Sequence, residues 1–139
     1  MSRLVFFDSN ILVYTDDASS PAKQKKAIAL CSDHLRNGTA VVSLQVLQEY
    51  FVAATRKLGV PAEMAQQKIQ ILARGRVVRF EAGDVIAAIE LHRLTHISFW
   101  DSLIVHAARS AGAAVLYSED LQPGAVLGGV RVVNPFAGG

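Results

Sequence analysis

The stretch Arg3-Leu4-Val5-Phe6-Phe7-Asp8-Ser9-Asn10 decides the fold. Leu4 to Phe7 is an apolar run of strand length with no polar–apolar alternation, the pattern of a strand buried on both faces. Such strands belong to parallel sheets covered by helices above and below. Asp8 stands at the carboxyl end of the run, and Asn10 opens a short helix reaching Tyr14.

Downstream, the same alternation of strand and helix repeats. Pro21 starts a helix that Asn37-Gly38 stops, proline suiting a first turn and glycine the residue after a last one. Ala40-Val41-Val42 is a second strand. Ser43 then caps a helix from Leu44 to Leu58, whose residues Leu47, Tyr50, Phe51, Ala54 and Leu58 form one apolar stripe. Pro61 opens a helix to Ala73, Val77 to Phe80 is a third strand, and Asp84 to Leu94 a further helix. Phe99 to Ala111 is helical and apolar on more than one side, with Gly112 as its stop. Ala113 to Tyr117 and Val130 to Val133 supply a fourth and a fifth strand. Alternating elements of this kind predict an α/β fold, a three-layer α/β/α sandwich around a parallel sheet. With no internal repeat, linker or low-complexity tract, residues 1–139 read as a single domain.

Composition excludes several classes. At 51% hydrophobic and 19% charged residues, the chain has the means to bury a core and is not disordered. No apolar run nears the roughly 18 residues of a membrane span. The run that begins after Met1-Ser2-Arg3 is broken at Asp8, too soon for a secretory leader, so a cytoplasmic location is expected. The single cysteine, Cys31, allows no internal disulfide and no cysteine metal cage, and its apolar helical setting reads as packing.

Four acids occupy places where a carboxylate is locally costly. Asp8 ends a buried strand, Glu49 is embedded in Val46-Leu47-Gln48-Glu49-Tyr50-Phe51, Asp101 lies between Trp100 and Leu103-Ile104-Val105, and Asp120 follows the fourth strand. Buried carboxylates need partners, and no comparable set of Lys or Arg lies near them in sequence. Hard divalent cations, Mg²⁺ or Mn²⁺, prefer carboxylate oxygen and water and would fit. Each acid also has a plainer reading: Asp8 or Asp101 as a helix cap, Asp120 as a turn residue, Glu49 as a surface acid. Ligands in parallel α/β folds bind outside the carboxyl ends of the strands, where Asp8 and Asp120 fall. Net charge is +2. With four of the 12 acids assigned to metal, 14 basic side chains face the remaining 8, or +6, which favours a phosphate backbone. The Lys23, Lys25 and Lys26 cluster reads as a solvated helix face.

At this point a resemblance becomes specific. Phe7-Asp8-Ser9-Asn10-Ile11-Leu12-Val13-Tyr14 resembles the opening of the PIN-domain family, an acid followed by Ser/Thr and Asn. Ser43-Leu44-Gln45-Val46-Leu47-Gln48-Glu49-Tyr50 is similar to its second block, Ile97-Ser98-Phe99-Trp100-Asp101-Ser102-Leu103-Ile104 to its third, and Leu116-Tyr117-Ser118-Glu119-Asp120-Leu121 to its fourth. The compact size and the Ser-Phe-Trp-Asp block resemble the VapC toxins of bacterial toxin–antitoxin pairs. The resemblance implies a five-stranded parallel sheet and a metal-dependent endoribonuclease using Mg²⁺ or Mn²⁺. It implies an RNA substrate, a cognate antitoxin and a homodimer. It assigns Asp8, Glu49, Asp101 and Asp120 to the metal, with Asn10 and Ser118 placing water or carboxylates. Glu119 stands beside Asp120 where the family has Thr-x-Asp, and its contribution is open. The resemblance also leaves a PIN-domain nuclease of RNA processing outside toxin systems as an alternative.

Other readings fit less well. A phospho-accepting receiver domain wants paired acids after the first strand and a lysine after the fifth, whereas Ser9-Asn10 and Asn134-Pro135 stand there. A haloacid-dehalogenase-type phosphatase wants Asp-x-Asp, and Asn10 takes the second position. His92 and His96 lack the acidic partner of a zinc-protease motif, and His96 is expected past its helix end. His106 shares a polar stripe with Ser102 and Arg109, which predicts a solvated or RNA-facing position. Phe99 and Trp100 are expected in the core.

Overall fold

The computed structural model describes residues 3–137. Met1 and Ser2, where the reading of a missing leader begins, and the last two residues of the expected 1–139 domain lie outside the described residues. In chain order the elements are β1 (Val5–Phe7), α1 (Ser9–Tyr14), α2 (Pro21–Asn37), β2 (Ala40–Ser43), α3 (Leu44–Lys57), α4 (Ala62–Leu72), β3 (Arg76–Val78), α5 (Ala82–Thr95), α6 (Phe99–Ser110), β4 (Val115–Tyr117), β5 (Val126–Leu127) and β6 (Val130–Val133).

The strands form one sheet in the order β3-β2-β1-β4-β6-β5. All neighbours are parallel except β5 and β6. The expected five-stranded parallel sheet is therefore corrected to six strands, with one antiparallel edge. The extra strand arises from Gly128-Gly129, which joins β5 to β6 with φ of 57° and 82°. Two positive φ values are what a tight two-residue hairpin turn demands, and glycine adopts them without Cβ strain.

The sheet centre is the apolar run that opened the sequence: Val5, Phe6 and Phe7 are all buried. Helices cover it, and Ile11, Leu12, Val46, Tyr50, Leu116 and Val132 close the core around it. Among the described residues no helix is long and apolar enough to cross a membrane. Cys31 is buried in this core, and burial pushes its thiol up to about 12, as suits an inert packing residue.

Local signals explain most boundaries. Ser43 accepts from the Val46 amide at 3.2 Å and caps α3. Gly38, with φ of 69°, ends α2 in a left-handed conformation. Helix α5 begins two residues before the expected Asp84. Glu81 is its cap, and Asp84 reaches back to the Glu81 amide at 2.9 Å to complete a capping box. On α3 the buried stripe is Val46, Leu47, Tyr50 and Ala54, while Phe51 turns outward.

Candidate active site

Order in the sheet creates the site. The chain runs from β1 outward to β2 and β3, then returns so that β4 pairs with the other side of β1. The crevice between β1 and β4 is thus a topological switch point, where α/β sheets bind ligands. Register places Phe7 opposite Tyr117, so the next residues, Asp8 and Ser118, leave the sheet side by side.

Asp8 is only 5% exposed. Its Oδ1 accepts from the Ser9 amide at 2.7 Å, so it does cap α1, while Oδ2 accepts from the Ser118 hydroxyl at 2.8 Å. Asn10 Nδ2 lies 3.0 Å from Asp120 Oδ2 and 3.5 Å from both Asp8 Oδ2 and Ser118 Oγ. The Asp120 amide donates to Ser118 Oγ at 3.2 Å. Asp8, Asn10, Ser118 and Asp120 are therefore one hydrogen-bonded group. Glu49 joins through Ser9, whose hydroxyl donates to Glu49 Oε1 at 3.1 Å.

Electrostatics mark Asp8 as the pivotal acid. Burial raises its pKa from 3.8 to about 6, the Ser118 and Ser9 hydrogen bonds pull the other way, and the charges of Glu49 and Asp120 add to the rise. None of Asp8, Glu49, Asp101 or Asp120 forms an ion pair among the described residues.

Asp101 stands apart from that network. Ser98, not Asp101, caps α6, its hydroxyl accepting from the Asp101 amide at 3.0 Å. The cap role thus falls away for Asp101, whose carboxylate is left without it. A side chain on α3 links the two regions: Gln45 Nε2 reaches Glu49 Oε2 at 3.3 Å and the Trp100 carbonyl at 3.4 Å. Among the described residues no three His, Cys, Asp or Glu side chains form a close ligand set. The chemistry of the donors nevertheless fits Mg²⁺ or Mn²⁺. Every donor is a hard oxygen, and Mg²⁺ keeps several waters and needs only one or two carboxylates.

Glu119 is occupied elsewhere. It accepts from Tyr14 Oη at 2.6 Å and from Lys23 Nζ at 2.7 Å, and Lys23 lies 4.9 Å from the Tyr14 ring centroid. Burial raises the Glu119 carboxyl, but the bonds from Lys23 and Tyr14 outweigh it and hold the carboxyl below the usual range. The Glu119 amide, meanwhile, donates to Asn10 Oδ1 at 3.2 Å. Tyr14, Lys23 and Glu119 thus clasp the loop that carries Asp120. The motif Ser118-Glu119-Asp120 signalled two acids, but sequence reasoning missed Lys23 and Tyr14 because their partner lies about a hundred residues away.

Two other expectations are corrected. His106 is buried, not solvated. Its Nδ1 accepts from Arg109 at 2.7 Å, which leaves the Nε2 proton for Asp84 Oδ1 at 2.9 Å. Trp100 is 65% exposed, because α6 turns its well-packed side, from Ser102 to Ala108, into the protein. His96 does lie past its helix, with φ of 64°, and His92 Nδ1 is engaged by the Ile97 carbonyl.

Solved structures with the same fold include Mycobacterium tuberculosis VapC20, described as a Sarcin-Ricin loop cleaving toxin. It is 24% identical with a TM-score of 0.68, covering 84% of this chain and 89% of that one. VapBC2 from Rickettsia felis, bound to a DNA fragment from its promoter, is 20% identical with a TM-score of 0.65, covering 93% and 96%. A Klebsiella pneumoniae toxin–antitoxin complex is 18% identical with a TM-score of 0.67, covering 95% and 98%. No curated protein matches the sequence. The PIN domain profile matches residues 5–124, from β1 through the Asp120 loop, and places the chain in the PIN domain family.

Proposed function

We propose that the protein is a Mg²⁺- or Mn²⁺-dependent endoribonuclease, the toxin of a toxin–antitoxin pair, acting in the cytoplasm as a homodimer and neutralised by a cognate antitoxin. Asp8, Glu49, Asp101 and Asp120 serve the metal, and Asn10 and Ser118 position them. The observation that carries this reading is a buried Asp8 beside Glu49 and Asp120 with, among the described residues, no basic side chain paired to any of them. Such charge crowding is unfavourable in the isolated protein and is relieved by a cation. Support for the toxin assignment is the likeness to VapC20 and to toxin–antitoxin complexes. An apolar strip of Leu44, Phe51 and Val52, exposed on α3, is a face a second copy could cover.

Mechanistically, the carboxylates of Asp8 and Asp120 would hold the ion, with Glu49 and Asp101 reaching it directly or through water. When bound, the ion activates water as the nucleophile and stabilises charge on the phosphate oxygens. The chain's own work is positional. Ser118 fixes Asp8 Oδ2 by donating to it, so one face of that carboxylate stays oriented. Asn10 holds Asp120 and receives the Glu119 amide, setting the distance between the first and fourth strand ends. Ser9 orients Glu49. No protein nucleophile is required.

The test is incubation of the purified protein with single-stranded RNA in Mn²⁺, in Mg²⁺ and in excess chelator, beside Asp8→Ala. Cleavage that needs metal and Asp8 is the expected result; full cleavage in chelator or in the variant overturns the mechanism. Co-expression with the adjacent gene tests the toxin role. Growth arrest unrelieved by that gene, with no complex formed, points to RNA processing outside toxin systems.

A further inference from the structure

We infer that Arg56 and Lys57, in the last turn of α3, form a binding subsite for a backbone phosphate of the RNA, a few nucleotides from the bond that is cut. This rests on the nuclease reading above and adds to it the residues that seat the substrate. Two clefts flank the acids. One, with a cavity volume near 290 Å³, is lined by Ser9, Asn10, Asp120 and Lys57. The other, near 640 Å³, is lined by Ser9, Glu49, Arg56 and Lys57. Ser9 and Lys57 border both, so the clefts meet along α3.

The helix explains the arrangement. Glu49, Ala53 and Lys57 follow at i, i+4 and i+8, with Arg56 at i+7, so all four share a face. Ala53 between them leaves the floor open. Eight residues rise about 12 Å along the helix, the length of three to four stacked nucleotides at about 3.4 Å each. A strand whose reacting phosphate lies at the acids therefore brings another phosphate to Lys57.

Position singles these two residues out: among the described residues, Arg56 and Lys57 are the basic side chains that line the two clefts. Lys23, whose partners Tyr14 and Glu119 line the first cleft, is by contrast engaged with Glu119. Arg56 and Lys57 are exposed and form no ion pair among the described residues, although Glu49 and Asp120 line the same clefts. Cations in a last turn complement the helix dipole, which accounts for their position along α3 but not for both bordering the acids unpaired. Positive charges there also offset the repulsion that the acids exert on RNA.

The experiment measures binding of a fluorescent single-stranded RNA to the Asp8→Asn protein in Mg²⁺ as salt is varied, with and without Arg56→Ala and Lys57→Ala. Loss of the one phosphate contact should lower the slope of log affinity against log salt by about 0.7 in the double variant. Neutral methylphosphonate linkages are then placed singly along the RNA. At one linkage within about four nucleotides of the cleaved bond, neutralisation should weaken binding to the Arg56 and Lys57 protein and cost the double variant nothing. In the cleaving enzyme the double variant should raise KM and leave kcat within about threefold, and Lys57→Arg should restore KM. Unchanged affinity, slope and linkage profile in a folded double variant overturn this subsite while leaving the nuclease reading intact. RNA neither bound nor cut by the unsubstituted protein removes both.

Discussion

The Ser118 hydroxyl donates to Asp8 Oδ2 over 2.8 Å, joining residues 110 positions apart in the chain. Parallel pairing of β1 with β4 makes this contact, and Ser118 is fully buried beside Asp8. The Asp120 amide and Asn10 also meet Ser118 Oγ, so one hydroxyl braces three site residues. Replacing Ser118 with Ala should cost about 1–3 kcal/mol, the usual penalty for leaving buried partners unsatisfied. RNA cleavage should fall at least tenfold with it. Ser118→Thr, which keeps the hydroxyl, should recover most of the rate; an alanine variant equal to the parent in both assays would count against the bracing role.

Asp8→Asn should abolish cleavage yet stabilise the metal-free protein. Asp8 has a folded pKa near 6 against 3.8 when free, so the folded state binds the proton more tightly. Stability from this group is therefore greatest below the free pKa and is lost as pH rises through about 6. Above that pH the penalty is on the order of 3 kcal/mol. Thermal unfolding at pH 7.5 should show the variant more stable than the parent, and the gap should close near pH 4. A gap that stays constant with pH would mean the Asp8 charge is not its source.

Asp101→Asn should separate structure from function. Ser98 caps α6 and the Asp101 carboxylate has no ion pair among the described residues. The fold should therefore change by no more than about 0.5 kcal/mol, as for other surface substitutions. Cleavage should be lost, and the rise in melting temperature with Mn²⁺ should shrink. A destabilised variant with full metal response would return Asp101 to a structural role.

Glu119→Gln should behave unlike Asp120→Asn. Glu119 is held by Lys23 and Tyr14 in a partly exposed pairing that clasps the loop without touching the metal site. The expected result is a moderate loss of rate with the Mn²⁺-induced thermal shift preserved, whereas Asp120→Asn loses both. A Glu119 variant without any metal shift would make Glu119 a ligand.

Period and punctuation in the sequence were enough to mark every element but the two-residue strand β5. The unbroken apolar run Val5–Phe7 can be satisfied only at the centre of a covered sheet, and Gly38 and Ser43 end and start helices through their own backbone and side-chain preferences. Those are local effects, readable one residue at a time. The acids, too, were visible as carboxylates in apolar surroundings. Which of them meet was decided by tertiary structure, because strand order and register are properties of the assembled sheet. Register puts Ser118 on Asp8, and the α2 helix brings Lys23 to the Glu119 carboxylate, so that of the two neighbouring acids it is Asp120 whose carboxylate meets Asn10. The same holds for His106, whose polar stripe pointed to solvent until α5 packed Asp84 over it, and for Trp100, whose large apolar ring stays outside because α6 buries its other face. Local chemistry sets what each residue prefers; only packing sets which preferences are met together.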